Sequence, residues 1–321
     1  MNTHQPILDA IDPEIVETLV SRREAIAQGA KVGSAVTAAL ALGSIPVSIA
    51  ALSSTAYAQA PAIVTQVLQF AFLLENLENE FYKAVLGTST STAFNDAFAT
   101  VRGKLTAVDK ATFAQISKHE TAHVALLKGA LGTAAPNYTP ANFDFTGGQG
   151  SGAGPLAPAT QDRDFLLLAT QVFEDTGMRA YKGQAGNLFS APSVLTTALQ
   201  IHSVEARHAA RVRRMRRLTS TGVADVVRLS GTIRGGGAAA AGAVGTPPQA
   251  VVDAANKIYG GATSEANTTH LGADATAVAG SFGGANATTE AFDEPLTAPE
   301  VVAIVSPFIV TGTTLPAFPN S

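Results

Sequence analysis

Apolar residues recur at three- and four-residue spacing through four long stretches of the chain. In the first, Val64, Val67, Leu68, Phe70, Ala71, Leu74, Leu77, Phe81 and Val85 trace one broad helical face over residues 62–86. Gly87 and the run Thr88-Ser89-Thr90-Ser91-Thr92 end it. A second helix is expected over 109–131, with Asp109 as its N-cap and Gly132 as its stop. A third is expected over 161–188. A fourth starts after Ala191-Pro192, with proline in its first turn, and runs to about residue 218. Residues 133–160 form a long connection that includes Gly147-Gly148-Gln149-Gly150-Ser151-Gly152. Strand patterns are scarce. Two short connections and one long one describe an all-α four-helix bundle with a crossover between its second and third helices.

The two ends of the chain read differently. Residues 1–58 have the organisation of an export signal: a polar stretch ending in Ser21-Arg22-Arg23, an apolar stretch over about residues 32–52, and Ala56-Tyr57-Ala58 as a cleavage site. Arg22-Arg23 resembles a twin-arginine signal, although Ala25 stands where an aromatic is usual and the leading stretch is acidic. The alternative, an uncleaved membrane anchor, is disfavoured by Pro46 and the many small polar residues. The expected destination is therefore periplasmic or extracellular. The bundle occupies residues 59–232. Residues 233–321 form a Gly/Ala/Thr-rich extension that begins at a Gly/Ala linker. Short helices are expected there over 248–259 and 298–305. The extension is too lean to bury a core of its own, so it should lie on the bundle or on a neighbouring subunit in a homo-oligomer.

Composition removes several chemistries. The chain of 321 residues has no Cys and no Trp, so disulfides, thiolate metal sites and Cys nucleophiles are excluded. Its net charge of −4 gives no reason to expect a nucleic-acid partner. Arg207, Arg211, Arg213, Arg214, Arg216 and Arg217 crowd the end of the fourth helix. Cations there complement the helix dipole, and some should pair with acids of the extension.

What remains is glutamate and histidine. Glu75 and Glu174 stand alone on the first and third helices. Glu120-Thr121-Ala122-His123 and Glu205-Ala206-Arg207-His208 lie on the second and fourth. Residues i and i+3 share a helix face, so each Glu-x-x-His aims a carboxylate and an imidazole at one spot. Random placement of the chain's Glu and His gives roughly a quarter of one such pair. Two lone Glu and two Glu-x-x-His make a six-ligand set for two metal ions in a bundle core. An internal repeat supports this. Glu75 and Glu174 are each followed seven residues on by tyrosine, Tyr82 and Tyr181, which fall on the ligand face as hydrogen-bond donors. Gln115-Ile116 and Gln200-Ile201 precede the two Glu-x-x-His motifs at equal distance. The repeat selects Glu75 over its neighbour Glu78, whose counterpart is Gly177. His202 shares the face of Glu205 and is expected outside the ligand set. His119 lies about 100° off that face, towards a neighbouring helix or solvent. His270 carries no signal.

On these residues the chain resembles the ferritin-like superfamily, which includes bacterioferritins, rubrerythrins and manganese catalases. Leu74-Glu75-Asn76-Leu77-Glu78-Asn79-Glu80-Phe81-Tyr82, His119-Glu120-x-x-His123 and Ala291-Phe292-Asp293-Glu294-Pro295-Leu296 are similar to exported desiccation-related members. The chain departs from bacterioferritins before each Glu-x-x-His, where Asp is frequent there and His119 and Val204 stand here. The resemblance implies two Fe ions that oxidise as Fe(II) or react with O2 or peroxide in stress protection. Two Mn ions disproportionating peroxide are the alternative, and a non-catalytic, desiccation-protective protein with a structural or vestigial metal site is a third reading. A twin-arginine route would export the protein folded and metal-loaded. The double substitution Arg22→Lys, Arg23→Lys should then trap precursor in the cytoplasm, as read by fractionation and immunoblot. Normal export of that variant would point to the general secretory route instead.

Overall fold

The computed structural model describes residues 61–219, 257–260, 264–280 and 284–319. The export-signal segment, the Gly/Ala linker and most of the helix expected over 248–259 lie outside the described residues; residues 257–259 are helical. The helices are α1 (Ala62–Leu86), α2 (Thr92–Ala97), α3 (Ala99–Lys104), α4 (Ala107–Leu131), α5 (Arg163–Gln184), α6 (Pro192–Thr219), α7 (Ala275–Ala279), α8 (Gly284–Ala291) and α9 (Ala298–Val305). A two-residue antiparallel ladder pairs β1 (Thr269–His270) with β2 (Ala273–Asp274). No described helix is long and apolar enough to cross a membrane.

Helices α1, α4, α5 and α6 form the four-helix bundle. Local chemistry sets their ends. Gly87 closes α1 at φ +76°, and a β-carbon there would lie 2.7 Å from the Arg102 guanidinium, which itself donates to Ala84 O at 3.0 Å. Helix α4 starts at Ala107 rather than at the expected Asp109. Thr106 is the N-cap and Asp109 the third helical residue of a capping box, in which Thr106 Oγ1 accepts from Asp109 N and Asp109 Oδ2 accepts from Thr106 N. Asp162 caps α5, so that helix begins two residues later than expected and ends in a 3-10 turn over Ala185–Leu188. The connection after α1 is not a plain loop. Ser91 caps α2, and α3 follows it directly.

Arg163, at the start of α5, holds Asp109, near the start of α4, through two hydrogen bonds of 2.6 and 2.7 Å. The two helices therefore begin at the same end, and the connection over 132–162 must return along the bundle. It does so with Phe143 and Phe145 inserted into the core and Asp144 accepting from the amides of Thr146, Gly150 and Gly152.

Two apolar clusters fill the bundle. One contains Phe81, Phe113, Phe145, Phe173 and Phe308, and the other Val64, Leu68, Leu127, Leu131, Leu188 and Ile201. On every bundle helix the candidate ligands fall between a member of one cluster and a member of the other. Helix α1 is buried on all sides from Phe70 to Tyr82, its polar residues Glu75, Asn76, Glu78, Asn79 and Glu80 included.

The C-terminal segment packs on the bundle. Arg179 on α5 is 1% exposed, donates to Glu294 O at 2.7 Å and to Ile258 O, and pairs with the buried Glu265 at 2.9 Å. Leu296 N donates to Arg179 O at 3.1 Å. A β-carbon on Gly183 would sit 1.9 Å from Leu296 O, so only glycine allows this approach. Val310 N donates to Asn142 O and Asp144 N to Phe308 O, which laces the tail to the crossover. Arg179→Met removes the guanidinium that Glu265 faces. It should cost about 3–5 kcal/mol, the usual penalty for stripping one partner from a buried pair. Chemical denaturation should show a lower midpoint, and an unchanged midpoint would mean that the clip adds no stability.

Candidate metal centre

The layer between the two apolar clusters is polar. It receives Glu75 from α1, Glu120 and His123 from α4, Glu174 from α5, and Glu205 and His208 from α6. All are buried except the edge of His123, and Glu120, Glu174 and Glu205 are completely so. His123 Nδ1 lies 3.0 Å from Glu75 Oε2, 3.2 Å from Glu120 Oε2 and 3.4 Å from Glu205 Oε1. His208 Nδ1 lies 3.1 Å from both Glu120 Oε1 and Glu174 Oε2, and 3.8 Å from Glu205 Oε2. Two overlapping groups result: Glu75, Glu120, His123 and Glu205, and Glu120, Glu174, Glu205 and His208. Within each, one donor atom per residue lies within 4.8 Å of the others. Glu120 and Glu205 belong to both, while each histidine and each lone glutamate belongs to one.

The tyrosines cross the layer reciprocally. Tyr82 on α1 donates to Glu174 Oε1 on α5, and Tyr181 on α5 donates to Glu75 Oε1 on α1 at 2.6 Å. Each lone glutamate therefore has one oxygen fixed by tyrosine and the other turned to a histidine. This is the pseudo-twofold symmetry of the sequence repeat, expressed in hydrogen bonds.

The layer is electrostatically incomplete as a protein-only structure. Glu205 Oε1 and Oε2 and Glu120 Oε1 accept no hydrogen bond, although histidine nitrogens approach all three. Burial raises Glu75 to about 7, with His123 opposing the shift. Burial and then Glu120 and Glu75 push Glu205 well above the carboxylate range. Burial would also raise Glu120, but the nearby His123 and His208 outweigh it and hold that carboxyl low. Burial disfavours a charged imidazole, yet the surrounding carboxylates raise both His123 and His208. Orphaned oxygens in a dry core, four carboxylates and two imidazoles fit a pair of divalent cations: the charges cancel, and hard oxygen with borderline nitrogen suits iron or manganese.

The neighbouring residues sort themselves. His202 is outside the ligand set, its Nδ1 2.9 Å from Met178 O. His119 does reach a neighbouring helix, and its partner there is a candidate ligand. Its Nδ1 lies 2.8 Å from His208 Nε2, and the two rings stack nearly parallel. The contact leaves His208 Nδ1 turned inward to the carboxylates. Helical angle alone missed this bond, because it depends on how close α4 comes to α6. His270 lies in the tail, stacked on Phe292. Of the arginines on α6, Arg213 meets Asp175 of α5 at 3.3 Å and Arg216 donates to Gln171. Asp293 and Glu265 of the extension also act on Arg213 and help raise its pKa, in line with the pairing expected there. Glu78, one turn beyond Glu75, is buried near the same carboxylates but belongs to neither group, as the repeat led us to expect.

The four-helix bundle with a core of glutamates and Glu-x-x-His pairs is the architecture of a dimetal-carboxylate bundle. Residues 64–218 match the ferritin-like domain family, and that segment is a ferritin-like domain. No curated protein and no solved structure matches the chain.

The pKa shifts fix a pH dependence for metal-free protein. Glu75 and Glu205 are raised, so each stabilises the fold most below its ordinary pKa and loses that contribution as pH climbs through the folded value. His123 and His208, also raised, lose theirs in the same direction above 6.5. Glu120 is lowered, so its contribution is complete above 4.5 and falls only in stronger acid. From about pH 5 to about pH 8 the site's contributions therefore share one sign. The Tm of chelator-treated protein should fall across that interval in thermal denaturation, and a Tm that rises would contradict the assignment of these shifts.

Proposed function

We propose that the chain is an exported dimetal-carboxylate protein that oxidises Fe(II) or reacts with O2 or peroxide in stress protection. The observation that carries this reading is the pair of overlapping four-residue groups sharing Glu120 and Glu205. Glu75 and His123 would hold one ion and Glu174 and His208 the other, with Glu120 and Glu205 available to both. Two iron ions held there would supply a two-electron couple.

The chain's own residues do the rest. Tyr82 and Tyr181 fix the orientation of the two lone glutamates. The contact between His119 Nδ1 and His208 Nε2 holds the His208 ring with Nδ1 towards the centre. The phenylalanine-rich cluster on one side and the aliphatic cluster on the other exclude water. Export and the stress role rest on the Arg22-Arg23 and Ala56-Tyr57-Ala58 pattern and on the narrower desiccation-related resemblance.

The same donors suit two Mn ions, which would make the reaction peroxide disproportionation. The third reading, a metal that only staples the bundle, draws support from the complete burial of three of the glutamates. Fe(II) oxidation and peroxide consumption assays on iron- and manganese-loaded protein separate the three: the proposal expects turnover with iron, the second reading with manganese, the third with neither. Glu120→Ala or Glu205→Ala should lower bound metal well below two ions per chain by elemental analysis, since each carboxylate serves both positions. Unchanged stoichiometry in both variants would refute the ligand set.

A further inference from the structure

The six candidate ligands are not equally sheltered. Side-chain exposure is 11% for His123 and 5% for His208, against 0–1% for the four glutamates. Both histidines sit where α4 and α6 lie side by side. His123 of α4 faces Glu205 of α6, His119 meets His208, and Arg211 of α6 donates to Thr112 Oγ1 of α4 at 3.2 Å. The contact that the ligand set has with solvent therefore runs through the seam between these two helices.

Only cations flank that seam on its outer side. Lys118 on α4 and Arg207, Arg211 and Arg214 on α6 are exposed, whereas the acids of the two helices, Asp109, Glu120 and Glu205, are all buried. Among the described residues none of these four cations is in an ion pair; Arg211 reaches the Thr112 hydroxyl alone. Arg207, Arg211 and Arg214 stand at i, i+4 and i+7, a spacing at which like charges repel and weaken a helix. Burial and then His208 lower the pKa of His119, and Arg207 adds to that shift, which puts its guanidinium near the mouth of the seam. The buried carboxylates draw cations inward, and this rim opposes them. O2 and hydrogen peroxide are uncharged and meet no such barrier. Arginine keeps its charge throughout the working pH range, so the rim does not switch off.

We propose that the α4–α6 seam is the way in to the dimetal centre, and that its cationic rim, with Arg207 and Lys118 foremost, admits O2 and peroxide while holding back free metal cations; the inference rests on the dimetal reading above. The iron that is oxidised is then the resident pair, and the reactant that enters at each turn is the oxygen species.

The experiment uses the full chain, stripped with chelator, and follows anaerobic uptake of Co(II) by stopped-flow absorption, so the readout does not depend on turnover. Arg207→Glu and Lys118→Glu reverse two exposed charges that make no hydrogen bond or ion pair among the described residues. Lys104→Glu makes the same change of charge on α3, which packs on α1 and α5. The double variant Arg207→Glu, Lys118→Glu should take up cobalt at least about tenfold faster than wild type at low ionic strength, the lower end of electrostatic steering. The gain should shrink towards about 1 M salt, where the Debye length is about 3 Å. Each single substitution should give part of that gain, which keeps the test decisive if the double variant fails to fold. Peroxide consumption by iron-loaded protein should not follow the cobalt rates. Wild-type uptake rates in the rim variants, an equal gain from Lys104→Glu, or peroxide rates that rise with the cobalt rates would each overturn the proposal and leave the six-ligand site standing. Wild-type protein that takes up no cobalt would overturn the dimetal reading and the access path together.

Discussion

Four carboxylates on four helices meet in a buried layer, and the rest of the bundle is arranged around that repulsion. Glu75, Glu120, Glu174 and Glu205 are held between two apolar clusters, which raises the cost of every uncompensated charge. The two histidines supply at most two positive charges. Placing the layer requires the rotation and axial register of α1, α4, α5 and α6 to be correct together. Nearby groups serve that requirement: Tyr82 and Tyr181 tie α1 to α5 in both directions, and His119 ties α4 to α6 through His208. A site of this kind is costly to fold empty. Metal binding and folding are therefore coupled through the same residues.

The long crossover and the tail follow from the same arrangement. Because Asp109 and Arg163 clamp the starts of α4 and α5 at one end, the chain must travel back along the bundle between them. The tail pairs with that returning segment through an isolated bridge between Phe143 and Ile309. The second clip is Arg179, little more than one turn beyond Glu174 on α5. It binds backbone carbonyls of the tail and Glu265 in a fully buried setting. The tail therefore helps hold the helix that carries one of the lone glutamates.

Much of this was legible in the sequence, because helical periodicity and i, i+3 pairing are local rules. The stripe from Val64 to Val85, the stop at Gly87 and the two Glu-x-x-His motifs depend only on neighbours a turn away. The internal repeat added one non-local relation, and it placed both tyrosines on the ligand face. Where local rules compete, the boundaries moved. Thr106 with Asp109 forms a capping box, so the acid read as a cap lies one turn inside the helix. The Ser/Thr run after Gly87 reads as loop, yet Ser91 caps a further helix. What stayed hidden depends on distances between helices: the His119–His208 contact and the reach of Arg213 and Arg216 to Asp175 and Gln171 of α5. Spacing along one helix carries no information about the separation of two.

The most direct test of the central claim is anomalous X-ray diffraction at the iron and manganese edges, from crystals of protein purified from its native compartment. The account predicts two anomalous peaks in the polar layer. One lies by Glu75 and His123, the other by Glu174 and His208, with the carboxylates of Glu120 and Glu205 between them. A single peak, or none at neutral pH with all six side chains in the arrangement described, would contradict it.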